Sequence, residues 1–164
     1  MKSSSLLQAL LVCVLLAAGT CAQAQESPPQ LRLAPGDIEF PAPAAAQTGT
    51  SGVGGLQVKV LSGDPKKPGL YTLVIKAAPH IRIQPHAHPD NRVGVVVAGA
   101  FYFAHGDRFD ESRMKRLPAG SFYTEPPNDN HFAMTGDEGV TLYITGTGPT
   151  GTVYVNEADD PTRR

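Results

Sequence analysis

The stretch QPHAHPDNR, residues 84–92, places His86 and His88 two positions apart. On a β-strand, residues at i and i+2 point to the same side, so the two imidazoles are predicted to lie next to each other. Two adjacent imidazoles are costly to protonate together, and neutral imidazole is a common ligand for divalent metals. The pair therefore predicts part of a metal site, with a solvent-facing pair as the alternative.

A second stretch, GSFYTEPPNDNH at residues 120–131, ends on another histidine. Its composition predicts a short strand, a proline-rich turn and a new strand that opens with His131. Such a return of the chain brings His131 to the same wall as His86 and His88. The other two histidines are expected outside this site, His80 near the opposite end of the fold and His105 on the surface.

Together the two stretches resemble the paired motifs of the cupin superfamily, G-x5-H-x-H-x3-4-E-x6-G and G-x5-P-x-G-x2-H-x3-N. The matching positions are His86, His88 and Gly99 in the first motif, and Gly120, Pro126 and His131 in the second. The resemblance covers roughly residues 56–155 and implies an all-β fold, a single antiparallel, jelly-roll-like cupin barrel. It also implies one divalent ion (Fe, Mn, Ni or Zn) bound by His86, His88 and His131, and a homodimer that pairs through edge strands.

The chain departs from the first motif at its carboxylate ligand, because the position seven residues before Gly99 is Arg92 instead of glutamate. Glu125, directly before Pro126, is the candidate replacement. Two interpretations stay open: a neutral three-histidine site, or a site completed by a carboxylate from elsewhere. Asn128 replaces the middle glycine of the second motif, which is tolerable because asparagine also adopts positive φ.

Arg92, Tyr123 and Glu125 are the candidate catalytic residues. The residue before the motif proline commonly points into a cupin barrel, and Tyr123, two residues earlier on the same strand, then points inward too. Because an unpaired buried charge is expensive, Glu125 and Arg92 are expected to pair inside the barrel. There Arg92 favours an anionic substrate and Tyr123 donates a proton. The alternative places Glu125 on the rim and Arg92 in solvent.

Short strands separated by turn residues surround the two stretches. About nine strands are predicted within a barrel domain at residues 56–158, including a hairpin at Gly99, with one helical turn at 110–116. Residues 25–55 lack sustained periodicity and predict a flexible N-terminal arm, with an edge strand near 38–40. This arm packs over a barrel mouth or pairs with a second subunit. Residues 159–164 are expected to form a disordered tail.

The first 24 residues have the features of a cleavable signal peptide. Lys2 precedes an apolar stretch at 6–18, too short to span a bilayer comfortably, and Ala22-Gln23-Ala24 is an A-x-A cleavage site. A secreted or periplasmic protein, cut near Ala24 and with no membrane span in its mature part, is expected; an uncleaved anchor is the alternative. Both cysteines lie in this leader, so the mature chain offers no thiolate to a metal.

Composition excludes several classes of function. The 14 Lys and Arg residues against 15 Asp and Glu leave no basic surplus for a nucleic-acid partner. The sequence also contains no Gly-rich phosphate loop and no G-x-S-x-G elbow. The cupin resemblance and its three-histidine site imply a metal-dependent enzyme, a dioxygenase in preference to an isomerase or lyase, that acts on a small organic molecule. The alternatives are a non-catalytic ligand- or metal-binding sensor, as in zinc-binding anti-sigma factors, and a metal-free structural barrel.

Overall fold

The computed structural model describes residues 29–43 and 49–163, and its strands form one eight-stranded antiparallel barrel sheet. In chain order the strands are β1 (Leu56–Ser62), β2 (Gly69–Ala77), β3 (Arg82–Ala87), β4 (Arg92–His105), β5 (Lys115–Pro118), β6 (Phe122–Glu125), β7 (His131–Gly148) and β8 (Val153–Tyr154). Helical structure in the described residues is limited to four 3-10 turns, at Pro35–Asp37, Glu111–Arg113, Glu157–Asp159 and Pro161–Arg163. The all-β class expected from the sequence is confirmed.

Two long strands, β4 and β7, organise the sheet. They pair with each other from Arg92 opposite Gly146 to His105 opposite His131. On its other edge, β7 pairs with β2 through its C-terminal half and with β3 through its N-terminal half. The strand β1 extends the sheet from β2 and β8 extends it from β3, whereas β5 and β6 cover the free edge of β4.

The expected hairpin at Gly99 is wrong, because β4 continues through this residue as one strand of 14 residues. Gly99 has a φ of 71°, and the pairing register shifts on both sides of it, which marks a β-bulge. A Cβ at this position would lie 2.3 Å from the carbonyl oxygen of Gly139, so only glycine fits. The strand β7 is likewise continuous over 18 residues. These two joined strands reduce the expected nine to seven, and β5, which lies where a helical turn is expected, brings the number in the described residues to eight.

The helical turn expected at 110–116 is shorter than the charge pattern suggests. Asp110 caps a three-residue 3-10 turn by accepting a hydrogen bond from the backbone N–H of Ser112. Met114 is already extended and Lys115 begins β5, which pairs with β4. Pairing with the sheet thus ends the helix after one turn. Residues 159–163, expected as part of a disordered tail, contribute to the last two 3-10 turns.

The arm joins the barrel earlier than expected. Thr50 and Ser51 are 5% and 6% exposed, so packing begins before residue 56. No strand forms at 38–40; instead Lys76 Nζ lies 5.9 Å from the centroid of the Phe40 ring. The expected signal peptide lies outside the described residues. Within those residues, no helix has the length and apolar character needed to cross a membrane.

The interior is filled by side chains that alternate along the strands. Among the most deeply buried large residues are Tyr71, Leu73, Val96, Phe132 and Ile144. At one end of this apolar core the buried residues change to histidine, arginine and glutamate, which places a polar cluster inside an otherwise hydrophobic barrel. A buried polar cluster of this kind is costly unless its members are paired with each other or with a ligand.

Candidate metal centre and its cavity

Three of the five histidines converge inside the barrel. His86 lies near the end of β3 directly opposite His131, the first residue of β7, and His88 follows one residue after β3 ends. The ring centroids are 4.4 Å apart for His86 and His131, 5.0 Å for His86 and His88, and 5.3 Å for His88 and His131. All three residues are at most 4% exposed. The structure thus brings together the three histidines that the sequence groups as metal ligands.

Each of the three imidazoles is oriented by a backbone carbonyl. Their Nδ1 atoms contact the carbonyl oxygens of Gln84 for His86 (2.8 Å), Gly151 for His88 (2.5 Å) and Asp129 for His131 (3.1 Å). A carbonyl oxygen only accepts, so Nδ1 carries the proton and Nε2 keeps a free lone pair. This arrangement is the one that orients histidine ligands around a metal ion.

Burial keeps these histidines neutral. It lowers the pKa of His86 to about 3, with the nearby His131 acting in the same direction. Burial, together with Arg92, holds the pKa of His88 well below its ordinary value. The pKa of His131 is also lowered by burial, although Glu125 acts against that shift. Neutral imidazoles are the form that binds metals.

The cluster fits a divalent metal ion. One ligand atom from each histidine can be chosen so that all lie within 4.8 Å of one another. The Nε2 atom of His88 is fully buried and has no hydrogen-bond partner, which is costly without a ligand. Three neutral nitrogen donors suit iron, manganese, nickel or zinc, and they leave coordination positions open for other ligands.

Arg92 and Glu125 both lie inside the barrel beside the histidines. They are opposite each other in the pairing of β4 with β6, and Arg92 Nη2 lies 2.7 Å from Glu125 Oε2. The same carboxylate oxygen is 3.8 Å from the Nε2 atoms of both His88 and His131. Both side chains are at most 5% exposed, so the alternative of a rim carboxylate and a solvent-facing arginine does not hold.

The charge of Arg92 is maintained by its neighbours. Burial would lower the pKa of Arg92, but the carboxylate of Glu125 and other nearby groups raise it above its ordinary value. Its Nη1 also donates to the carbonyl oxygen of Gly49 (3.0 Å). The guanidinium therefore links the metal end of the barrel to the N-terminal arm.

Tyr123 lies in the same interior, above a glycine that makes room for it. Gly94 is its partner across β4 and β6, and a Cβ on Gly94 would approach the tyrosine ring to 2.2 Å. The ring also packs against Phe103, with centroids 4.7 Å apart. Burial and the adjacent Glu125 raise the pKa of Tyr123 well above its ordinary value, so its phenol stays protonated at neutral pH.

A small cavity of about 50 Å³ adjoins this cluster. Its polar lining comes from Arg92, Tyr123, Glu125 and the arm residues Thr50 and Ser51. Its apolar lining is formed by Leu56, Ile75, Ala77, Ile83, Phe101, Val140, Leu142 and Ile144. The site thus adjoins a small cavity with a mixed polar and apolar lining.

Sequence reasoning missed Asp90, which is 6% exposed. Its carboxylate accepts hydrogen bonds from the hydroxyls of Tyr71 (2.7 Å) and Thr150 (2.5 Å). These bonds hold the segment between His88 and Arg92 against β2 and against the loop between β7 and β8. The only signal in the sequence is an acidic residue two positions after His88. This pattern is too common to identify a functional residue.

The two remaining histidines do not join the cluster. His80 is exposed and its Nε2 lies 3.5 Å from Asp137, outside the barrel. The side chain of His105, expected on the surface, is 42% exposed, and its ring centroid is 6.4 Å from that of His131. Asn128, in the turn before His131, has a φ of 59°, in agreement with its place at a glycine position of the motif.

The barrel and its histidine cluster agree with a family match. Residues 44–151 match the family described as the ChrR cupin-like domain. Because this match covers more than half of the chain, the protein belongs to that family of the cupin superfamily. Among curated protein sequences, none matches the chain.

Solved cupin structures have the same fold. KdgF from Halomonas sp. is 20% identical with a TM-score of 0.50, over 70% of this chain and 91% of that chain. An RmlC-like cupin from Shewanella frigidimarina is 22% identical with a TM-score of 0.52, over 73% and 92%. The DMSP lyase DddQ from Ruegeria pomeroyi is 19% identical with a TM-score of 0.52, over 60% and 51%. At these identities the likeness concerns the fold.

Proposed function

We propose that this protein is a metal-dependent enzyme that acts on a small anionic organic molecule at the site of His86, His88 and His131. The observation that carries the proposal is the convergence of three neutral, buried imidazoles, each oriented by a carbonyl at Nδ1, near a small cavity. A structural barrel has no need for this arrangement, because a buried nitrogen without a partner destabilises the fold.

The preference for an anion follows from the charges of the site. The three imidazoles are neutral, and Arg92 and Glu125 compensate each other at 2.7 Å. A bound divalent ion then leaves two positive charges, of which the buried Asp90 offsets one. The remaining positive charge, in a chamber of low dielectric constant, favours a negatively charged substrate.

A divalent ion at this site would supply Lewis acidity and, if it is iron, a place for dioxygen to bind. The chain's own residues bind and orient the substrate and handle protons. Tyr123, with its pKa raised, is a proton donor facing the cavity. Dioxygenation is the favoured reaction, with isomerase or lyase chemistry as alternatives; one structural neighbour is itself a lyase.

Metal analysis followed by an oxygen-uptake screen tests this proposal. Protein purified without chelators is expected to contain one divalent ion per chain, and His131→Ala is expected to lose it. His80→Ala is the matched control, because this histidine is exposed and outside the cluster. Oxygen uptake with short carboxylic acids identifies a dioxygenase, and product analysis without oxygen identifies a lyase or isomerase. A wild-type protein without stoichiometric metal would refute the proposal.

A non-catalytic metal or ligand sensor is the second candidate. The cavity of about 50 Å³ favours it, because this volume is small for most metabolites. The two candidates differ in turnover. A metal-loaded protein that converts none of the screened acids, with or without oxygen, but is strongly stabilised by the ion supports the sensor.

We also propose that the chain is exported, with cleavage near Ala24, as its leader suggests. Mass spectrometry of exported protein is expected to give an N-terminus at or near Gln25. A retained Met1 contradicts export by this route.

A homodimer is proposed as well. Val95 and Phe122 are paired across β4 and β6 on the outer face, where they are 37% and 61% exposed. A dimer that covers this patch is expected to be weakened by Phe122→Ser. Light scattering coupled to size-exclusion chromatography measures the mass, and a wild-type monomer contradicts the proposal.

A further inference from the structure

Two buried hydrogen-bond donors at the cavity are left without partners. The Oγ atom of Ser51 and the Nε atom of Arg92 are inaccessible to solvent and make no hydrogen bond. Both residues line the cavity, as does Glu125, and they are 6% and 3% exposed. Buried donors without partners are rare in folded proteins, and two of them at one cavity point to a ligand with acceptor oxygens.

We propose that Ser51 Oγ and Arg92 Nε bind the carboxylate of a short-chain carboxylic acid. The segment 49–52, ahead of the first strand, is then part of the substrate site and determines its specificity. The inference rests on the proposed function and deepens it, because it names the substrate class and a binding residue in the arm.

The segment is held in place by the site itself. Three consecutive carbonyl oxygens accept hydrogen bonds from barrel side chains, in the order Arg92 Nη1 to Gly49 (3.0 Å), Thr152 Oγ1 to Thr50 (2.7 Å) and Tyr154 hydroxyl to Ser51 (2.5 Å). The Tyr154 ring lies 5.4 Å from that of His86. These hydrogen bonds fix the backbone of the segment, and Ser51 lines the cavity from this position.

The chemistry of the cavity selects the ligand. An arginine N–H is a charge-assisted donor and prefers an anionic oxygen, and a serine hydroxyl adds a second donor. Most of the remaining lining is apolar and includes Leu56, Ile75 and Val140. A volume of about 50 Å³ has room for a short apolar substituent. One anionic end and a small apolar end describe acetate or propionate, whereas benzoate and dicarboxylates are excluded by size or by the second charge.

Calorimetric titration of the metal-loaded full chain with acetate tests the inference. Wild-type protein is expected to bind acetate and propionate, to bind neutral acetamide at least about 10-fold more weakly, and to reject benzoate. Ser51→Ala is expected to weaken acetate binding about 10-fold without a change in metal content. Ser51→Thr, which keeps the hydroxyl, is expected to bind acetate more tightly than Ser51→Ala. Ser62→Ala in β1 is the matched control and is expected to behave like wild type.

The outcomes separate the two proposals. Wild-type protein without metal refutes the proposed function itself. The inference is overturned if metal-loaded protein binds no acetate, or if the Ser51→Ala variant binds acetate as wild type does. Neither result contradicts the metal site. The second result means that water satisfies the Ser51 hydroxyl. If Ser51→Ala does not fold, the near-isosteric Ser51→Cys variant replaces it. The cysteine thiol is a weaker hydrogen-bond donor than the serine hydroxyl, so an unchanged acetate affinity in this variant counts against the inference.

Discussion

Replacement of Glu125 by glutamine tests the electrostatics of the site most directly. The substitution keeps the shape of the side chain and removes its charge. Arg92, which is 3% exposed, then loses the carboxylate that lies 2.7 Å from its Nη2 atom. Arg92 keeps its hydrogen bond to the carbonyl oxygen of Gly49, and glutamine still offers a neutral acceptor. The arginine therefore loses its counter-ion and retains part of its hydrogen bonding.

The expected cost follows from these contacts. Removal of one partner of a buried ion pair typically costs about 3 to 5 kcal/mol in the free energy of unfolding. The remaining hydrogen bonds place Glu125→Gln at the lower end, about 3 kcal/mol, or a fall in Tm of about 10 °C for a domain of this size. The uncompensated guanidinium also repels a cation, so we expect metal affinity to fall about 10-fold or more.

The assay combines urea unfolding of the metal-free protein with metal titration of the folded protein. The matched variant is Arg92→Met combined with Glu125→Gln, which removes both charges. It is expected to recover at least half of the stability lost by Glu125→Gln alone, because the penalty arises from one buried charge and not from the missing contact. A cost below about 1 kcal/mol for Glu125→Gln, as for a solvated pair, would refute the reasoning.

Three further predictions concern the neighbourhood of the site. Gly94→Ala is expected to displace the Tyr123 ring, to cost about 1 to 3 kcal/mol in unfolding free energy and to alter the near-ultraviolet circular dichroism of tyrosine; an unchanged spectrum argues against the contact. Asp90→Asn is expected to cost about 1 to 3 kcal/mol, because the buried Tyr71 hydroxyl loses its charged acceptor; equal stability in urea contradicts this. Since the pKa of His86 is lowered from 6.5 to about 3, the unfolded metal-free chain takes up a proton that the folded chain rejects. Stability is therefore retained above pH 6.5 and lost below it, by about 1.4 kcal/mol per pH unit for this residue, and a flat urea stability from pH 7 to 5 refutes the shift.

The sequence predicts the fold class and the histidine cluster because both depend on local patterns. The two-residue spacing of His86 and His88 in an extended segment predicts that they share a side, and the motif spacing predicts that His131 joins them; in the structure His131 lies opposite His86. The predicted hairpin at Gly99 is wrong, because a glycine in a sequence is equally typical of a turn and of a β-bulge. Only the partner strand, with Gly139 closely packed against it, distinguishes the two.

The rest of the site depends on long-range contacts that no local pattern encodes. Ser51 reaches the cavity because barrel side chains at 92, 152 and 154 hold three carbonyls of an otherwise featureless segment. Asp90 is visible in the sequence, but its partners Tyr71 and Thr150 lie 19 and 60 residues away in the chain. A segment that lacks periodicity therefore predicts a flexible arm, although Thr50 and Ser51 within it are buried.

Arg92 and Glu125 lie side by side next to the histidine cluster. The carboxylate expected at the position of Arg92 occurs instead on the residue opposite it across β4 and β6. From there Glu125 Oε2 is closer to the guanidinium, at 2.7 Å, than to the Nε2 atoms of His88 and His131, at 3.8 Å. Glu125 thus compensates the charge of Arg92. On the proposed function, a divalent ion held by the neutral imidazoles would keep more of its positive charge than one bound by a carboxylate, and the adjoining cavity would then favour an anion.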